Sequence, residues 1–237
     1  MTRRGYHADD RLLFGGDQLE LLQRAQQEIR WLLDRGYKAN PVLDLVGGHH
    51  QLTARQRNAL QRTTASGEQC RRRAVTRLPM PAVRDQEILI DGFNIIITLE
   101  TALSGSLLVR GNDGVVRDLA GLRGTYRIIP QTEQALAILG RGLAAAAPAR
   151  VRIYLDAPVS NSGKLRQRIL AAADSWPMPV EVSLVADPDA ILCEHERVVT
   201  ADSLILDNCV SWIDLIGGLI RESVPEAWIV SFSDPES

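Results

Sequence analysis

The chain has 237 residues, of which 45% are hydrophobic and 24% are charged, and its formal net charge is −2. These proportions are typical of an ordinary globular protein, and no apolar run approaches the ~20 residues that cross a bilayer. The N-terminus is not followed by the apolar core of a signal peptide, so we expect a cytoplasmic protein without a membrane partner. Three scattered cysteines argue against a disulfide framework and against a zinc site.

The charge is divided unevenly along the chain. Residues 1–84 contain 15 basic and 8 acidic side chains, a net charge of +7, whereas residues 85–237 contain 12 and 21, a net charge of −9. This contrast predicts a basic part that attracts an anion and an acidic part that holds a cation. We therefore predict a basic helical domain with a linker over residues 1–84 and an α/β domain over residues 85–237.

The N-terminal part is predicted to be helical. Apolar residues fall on one face of a helix from about Asp17 to Arg35, and Gly36 is typical of a helix end. Thr53 followed by Gln56 has the pattern of a capping box. From about Ser66 to Arg84 the periodicity is unclear and prolines occur, which predicts a linker or extended arm.

The helix that follows Thr53 carries Arg55 and Arg62. Arginines in this basic segment are candidate contacts to a nucleic-acid backbone, because they neutralise phosphate charge. A solvated helix face is the alternative, and the sequence does not decide between the two.

Strands and helices alternate from Glu87 onwards, which predicts a mainly parallel sheet of about five strands covered on both faces. The strand candidates are 87–91, 150–155, 180–186, 196–201 and 227–231. The helix candidates are 93–104, 131–146, 162–174, 188–194 and 208–222. Asn112-Asp113-Gly114 lies between two apolar runs and predicts a hairpin over 107–118, an appendage that overhangs the sheet edge.

An aspartate stands where each of four predicted strands ends. The carboxyl ends of parallel strands line one crevice, where ligands bind, and carboxylates that meet there repel one another unless a cation lies among them. Mg²⁺ or Mn²⁺, which prefer oxygen ligands, are the natural candidates. The four residues are Asp91, Asp156, Asp187 and Asp202.

Each of these aspartates also has a simpler interpretation. Asp91 could cap the helix that follows it, and Asp187 before Pro188 is a very good N-cap, at least as typical of capping as of metal binding. Asp156 and Asp202 could be ordinary turn residues. Because four such residues share one sheet edge, we favour the metal interpretation for Asp91 and Asp202.

The order of these motifs over residues 87–222 resembles that of the PIN-like nucleases, most closely of their NYN branch. That branch has an Asp-Gly-Tyr/Phe-Asn turn, a strand ending in Phe-Asp, a later Ala-Asp and a Val-Val-Thr-x-Asp segment. The matching segments are Asp91-Gly92-Phe93-Asn94, Leu155-Asp156, Ala186-Asp187 and Val198-Val199-Thr200-Ala201-Asp202. The whole chain is similar to a prokaryotic family in which a helical domain of unknown function precedes the α/β domain.

The resemblance implies a PIN-like three-layer sandwich and a metal-dependent nuclease, in particular a ribonuclease that uses Mg²⁺ or Mn²⁺ to hydrolyse phosphodiester bonds. Asp91 and Asp202 would bind the metal, and Asp156 with Asp187 or Asp189 would complete the site directly or through water. One more residue than the family pattern separates aspartate from isoleucine after Ala186, which leaves Asp187 and Asp189 as alternatives. The expected catalytic residues are Asp91, Asp156 and Asp202, and RNA is the expected partner.

Three further residues are candidate substrate contacts. Asn94 is expected to orient a ligand or to contact phosphate. Ser162 and Lys164 follow Asp156 in a polar loop at the same edge and are candidate phosphate contacts, although a plain polar loop fits them equally.

Two other functions remain open in the sequence. One is a non-catalytic module of the same fold that binds RNA or a nucleotide, and the other is a phosphatase on a related α/β sheet. The apolar run from Trp212 to Leu219 could serve a core or an interface, so a homo-oligomer is also open.

Overall fold

In the computed structural model, a set of N-terminal helices is followed by a large sheet whose strands are all parallel. The structure describes residues 2–121 and 124–233, so the outer ends of the two predicted domains, Met1 and residues 234–237, lie outside it. The predicted α/β class is confirmed. Within these residues, no helix is long and apolar enough to cross a membrane.

Five α-helices form over the described residues 2–84. Leu22 and Ile29 are buried on the inner face of the second helix, as the periodicity predicts. The capping box at Thr53 is confirmed, because its hydroxyl accepts from the Gln56 N–H at 3.3 Å and the Gln56 side chain accepts from the Thr53 N–H at 3.0 Å. The helices are α1 Asp10–Leu13, α2 Asp17–Leu33, α3 Ala39–His49, α4 Ala54–Thr63 and α5 Gly67–Thr76.

The prediction of a linker between Ser66 and Arg84 was wrong. A second capping box, formed by Ser66 and Gln69, begins α5, and β1 (Arg77–Leu78) and a 3-10 helix (Met80–Val83) follow it. The only buried residue of α5 is Arg73. A helix that buries a charged side chain shows no apolar periodicity, which explains why the pattern missed it.

The main sheet has six parallel strands in the part of the chain that the structure describes. Ile88 and Ile90 face one side and Leu89 the other, so the central strand is buried on both faces, as a parallel strand must be. From one edge to the other, the strands are β1, β8 Trp212–Ile213, β7 Val198–Val199, β2 Glu87–Asp91, β5 Arg150–Asp156 and β6 Val180–Val185.

Helices cover both faces of this sheet. One face packs against α6 Gly92–Leu103, α7 Pro130–Ala146, α8 Ser162–Ala173 and α11 Leu215–Ser223. The other face packs against α9 Pro188–Leu192 and α10 Ser203–Asn208. The result is a helix–sheet–helix arrangement, in which the short helices α9 and α10 lie on the side toward which Leu89 and Asp91 point.

The predicted hairpin forms, but it is not an appendage. Strands β3 (Leu108–Arg110) and β4 (Val116–Asp118) are antiparallel, and β9 (Ile229–Ser231) pairs with β3 to complete a second sheet. The run at 227–231 was expected to join the main sheet, but its strand belongs to this second sheet instead. The buried side chains of this second sheet share a core with α2, α3 and α4, so the hairpin joins the two parts of the chain.

The helix predicted over 208–222 is interrupted. The chain forms β8 first, and Asp214 then accepts a hydrogen bond from the Gly217 N–H at 3.0 Å and begins α11. A two-residue strand is too short for its period to be distinguished from that of a helix. The apolar residues from Trp212 to Leu219 are buried in the core of a single chain, and the homo-oligomer stays a prediction.

Gly92 is the point at which β2 turns into α6, close to the neighbouring strand β5. A Cβ atom at this position would lie 2.7 Å from side-chain carbons of both Ile153 and Leu155. We expect Gly92→Ala to lower the free energy of unfolding by about 1–3 kcal/mol, because the core must shift to accept the methyl group. Urea unfolding measures this change.

Gly48→Ala is the matched control, because the methyl group it would add in α3 meets no atom within 4 Å beyond its chain neighbours and the backbone of its own helix. We expect it to raise the free energy of unfolding by about 0.5–1 kcal/mol through helix propensity. Equal effects of the two substitutions would contradict the close packing at Gly92.

Candidate functional site

The predicted aspartates lie at one edge of the main sheet. The ends of β7, β2, β5 and β6, four neighbouring strands, are followed or closed by Asp202, Asp91, Asp156 and Asp187. The chain passes from β2 to β5 and β6 on one side, and β7 and β8 lie on the other. The order of the strands thus reverses between β2 and β7, which is where open α/β sheets bind ligands.

Asp91 is a buried carboxylate, with 6% of the residue exposed. The Thr200 hydroxyl donates to its Oδ2 at 2.9 Å, and the side chain makes no capping hydrogen bond to α6. Among the described residues, no arginine, lysine or histidine forms an ion pair with it. No capping hydrogen bond of normal geometry therefore forms, although the Asn94 N–H in the first turn of α6 is close enough to lower the pKa of Asp91.

The surroundings of Asp91 oppose its ionisation. Its pKa is raised to about 8, mainly by burial and also by the charges of Asp202 and Asp189, although the hydrogen bonds from the Thr200 hydroxyl and the Asn94 N–H act in the opposite direction. A carboxyl group with this pKa is mostly protonated at neutral pH unless a positive charge comes close.

Asp202 and Asp187 both cap helices, as their simpler interpretation predicts. Asp202 Oδ1 accepts from the Leu204 N–H at 2.7 Å and Asp187 Oδ1 accepts from the Ala190 N–H at 3.1 Å. Asp202 is half-buried, whereas Asp187 is exposed. Capping occupies one oxygen of each carboxylate and holds the side chain in a fixed direction.

The charge of Asp189, unlike that of Asp187, affects the pKa of Asp91. The pKa of Asp189 is raised to about 6 by burial and by the charges of Asp202, Asp156 and Asp187. The charge of Asp187 acts on Asp156, whose pKa burial also raises. The charge of Asp189 acts on Asp91 and that of Asp187 acts on Asp156, so the choice between Asp187 and Asp189 as a ligand stays a prediction.

A small network fixes the segment that carries Asp202. The Asn94 Oδ1 atom accepts from the Ala201 N–H at 2.8 Å, and the Asp202 N–H donates to the Thr200 hydroxyl at 3.0 Å. Asn94, which was expected to orient a ligand or to contact phosphate, thus uses its side-chain oxygen to hold this segment. Thr200 is the residue that sequence reasoning missed, although its place in Val-Val-Thr-x-Asp could have pointed to it.

The two loop candidates are not brought to the aspartates by any contact in the described residues. Ser162 is buried at the start of α8, and its hydroxyl donates weakly to the Ala157 carbonyl at 3.4 Å. This burial makes it unsuitable for phosphate binding. Lys164 is exposed in the first turn of α8.

The arginine candidates are engaged within the protein, which corrects their prediction as nucleic-acid contacts. Arg55 pairs with both carboxylate oxygens of Asp10 at 2.9 and 2.8 Å and donates to the Leu119 carbonyl at 2.7 Å. Arg62 donates to the Asp118 carbonyl at 3.1 Å. Both side chains fasten α4 to neighbouring segments, and the Arg62 side chain remains 34% exposed.

Ion pairs within the protein also account for part of the uneven distribution of charge along the chain. In the described part of the chain, every ion pair between residues 2–84 and the later residues has its base in the first part and its acid in the second. The pairs are Arg4–Glu100, Arg62–Asp118, Arg73–Asp113, Arg73–Asp207 and Arg77–Asp214. The positive charge of the first part is thus partly neutralised inside the molecule.

The donor chemistry of the crevice suits a hard cation. No group of three histidine, cysteine or carboxylate side chains could hold a metal ion within residues 2–121 and 124–233. Mg²⁺, however, is usually bound through one or two carboxylates and several waters. Asp91 and Asp202, with Asp189 beside them, fit such a site in their chemistry.

Comparison with known proteins gives the family. Residues 21–75 match a protein of unknown function (DUF434), and residues 80–218 match a domain of unknown function (DUF5616). An uncharacterized protein of Methanocaldococcus jannaschii is 32% identical over 205 residues, which cover 84% of this chain and 97% of that protein. No solved structure matches. Neither description names an activity, so the resemblance to PIN-like nucleases and the domain boundary at residue 84 stay predictions. The chain belongs to the DUF5616 family and carries a DUF434 segment in front of its α/β part.

Proposed function

We propose that the protein is a nuclease that hydrolyses phosphodiester bonds with Mg²⁺ or Mn²⁺ and acts on RNA in the cytoplasm. The observation that supports this is the buried Asp91 carboxylate at the reversal of strand order, which has two carboxylates near it and no basic partner in the described residues. Such an arrangement destabilises the fold until a cation compensates it, and costly groups of this kind cluster at functional sites.

The proposal gives each side chain a role. Asp91 and Asp202 would hold the cation, and Asp156 would complete the site directly or through water. A bound divalent cation supplies positive charge to the phosphate and activates water. Asp189, whose pKa responds to the charges of Asp202 and Asp156, would lie close enough to accept a proton from water.

RNA as the substrate rests on the family resemblance, and a cation held by the acidic crevice would have to offset the repulsion between the carboxylates and a phosphate. Arg55 and Arg62 are not part of this proposal, because their guanidinium groups are engaged within the protein. The backbone N–H groups at the start of α6, next to Asp91, would be an alternative contact for a phosphate.

Calorimetric titration with Mn²⁺ and cleavage of labelled single-stranded and hairpin RNA test the proposal. We expect wild type to bind Mn²⁺ and to cleave RNA, and the Asp91→Asn, Asp202→Asn double variant to do neither. Asp187→Asn is the control, because Asp187 is an exposed cap that asparagine can replace, and it should retain both properties. Equal cleavage by wild type and the double variant would refute the nuclease.

A second candidate is a non-catalytic module that binds RNA or a nucleotide. The observation that favours it is the lack of three converging ligands in the described part of the chain. This module predicts RNA binding that is unchanged by EDTA and by the double variant. Mn²⁺ binding that the double variant abolishes would count against it.

A further inference from the structure

A buried arginine of the β3–β4 hairpin binds the segment that carries Asp202. Arg117, 4% exposed, donates from Nε to the Ala201 carbonyl at 2.8 Å. Both carboxylate oxygens of Asp113 accept from the guanidinium of Arg117, at 2.9 and 2.6 Å. A bidentate pair of this kind fixes the plane and direction of the guanidinium.

A second arginine extends this contact to the N-terminal part. Arg73 of α5 pairs with Asp113 at 2.5 Å and with Asp207 at 2.7 Å, and it donates to the Ser203 carbonyl at 3.4 Å. Its side chain is also almost completely buried. The two arginines therefore hold the chain immediately before Asp202, immediately after it, and at the far end of α10.

The polypeptide around Asp202 is thus fixed on both sides. The Ala201 N–H is bound by Asn94 and the Ala201 carbonyl by Arg117, so the peptide groups of this residue cannot rotate freely. Because Asp202 follows directly, these bonds set the position from which its carboxylate acts on Asp91. Groups behind a binding site are known to act in this way on the side chains in front of them.

We propose that Arg117, oriented by Asp113 and Arg73, is a positioning residue that holds Asp202 beside Asp91 for cation binding. This inference rests on the proposed function and deepens it, since it assigns a role in the site to Arg73 of the DUF434 segment. It also means that the two family segments contribute to one site. A purely structural role for Arg117 would instead change stability alone.

The test compares Arg117→Met with Arg55→Met. Arg55 also forms a bidentate pair with an aspartate and bonds to backbone carbonyls, but none of its partners belongs to the segment around Asp202. Both variants should be less stable than wild type. Only Arg117→Met should weaken Mn²⁺ binding, by roughly 10–100-fold as for other groups behind metal ligands, and only it should make the amides of residues 201–206 exchange hydrogen about tenfold faster.

Arg117→Lys keeps the test informative if the methionine variant does not fold. Lysine retains the charge opposite Asp113 but, as a point charge, cannot reproduce the forked geometry that also reaches Ala201. We expect stability to recover in part while Mn²⁺ affinity remains about tenfold below wild type.

One result would contradict the positioning role of Arg117, and a different result would contradict the proposed function. If Arg117→Lys or Arg117→Met behaves like Arg55→Met in both Mn²⁺ affinity and hydrogen exchange, the positioning role is overturned. If wild type binds no Mn²⁺, the proposed function fails. In that case faster exchange confined to residues 201–206 in the Arg117 variants still supports the positioning of Asp202, and unchanged exchange there overturns it.

Discussion

Asp91→Asn is expected to stabilise the metal-free protein and to abolish cation binding at the same time. The Asp91 carboxyl is buried, with a pKa of about 8, so the folded chain must keep a proton that the unfolded chain releases at neutral pH. Asparagine has nearly the same shape and its carbonyl can accept the bond from Thr200, but it does not ionise. We expect the free energy of unfolding to rise by about 2–4 kcal/mol at pH 7 in EDTA.

The pH dependence of this gain follows from the raised pKa. Below about pH 4 the carboxyl is protonated in both states, and its contribution to wild-type stability is fully present. As the pH rises toward about 8, the unfolded state loses its proton and that stability is progressively lost. The advantage of Asp91→Asn should therefore grow between about pH 4 and about pH 8 and then level off.

Urea unfolding in EDTA across this pH range measures the effect. Asp187→Asn serves as the control, since Asp187 is exposed and asparagine caps a helix as well as aspartate does. Its stability should match wild type at every pH above about 5. A less stable Asp91→Asn protein at pH 7 would show that the carboxylate is already compensated in the free protein.

Asp113→Asn is expected to be among the most damaging single substitutions. The carboxylate lies between Arg73 and Arg117, at 2.5 and 2.6 Å, and all three side chains are buried. Removal of its charge leaves Arg117 without a counter-charge in a site from which water is excluded. Breaking a buried ion pair from one side costs about 3–5 kcal/mol, and we expect a loss of that size in urea unfolding.

The acid stability of the wild type should show the same interaction. Burial alone would raise the pKa of Asp113, but the hydrogen bonds and charges of Arg117 and Arg73 outweigh it and lower the pKa to about 2. Because the folded pKa is depressed, this stability is present above about pH 4 and is lost as the pH falls toward 2. The Asp113→Asn variant should lack that loss.

Asp44→Asn provides the contrast. The Asp44 side chain is 84% exposed and lies 3.9 Å from Arg57, so water and salt screen the pair. No measurable change in stability is expected. If Asp113→Asn were equally silent, the buried arginines would have to find other partners, and the cluster would not stabilise the fold as described.

The regions that could be predicted from the sequence are those in which burial is apolar. The strand β2 and its helix were readable because Ile88, Leu89 and Ile90 form an apolar run that ends at Asp91. The capping box at Thr53 could be predicted because its two residues lie only three positions apart in the chain. Secondary structure and the edge that gathers the aspartates therefore followed from short-range patterns.

The remainder depends on contacts between residues far apart in the chain. Helix α5 was missed because Arg73 is buried by acids that come 40 and 134 positions later. The excess of basic residues before position 85 was interpreted as a surface for an anionic ligand, yet Arg55 and Arg62 bond within the protein. A sequence shows which charges exist and not which of them are already paired.

The edge strand β1, which has only two residues, has a consequence for self-association. Strand β1 places only Arg77 and Leu78 along the edge of β8, and Pro79, which has no N–H to donate, follows at once. Brief, charged and proline-ended edges offer little template to another chain. The last helix of the DUF434 segment thus leads directly into a strand that closes this side of the sheet, and intermolecular strand pairing and the aggregation that follows from it are disfavoured there.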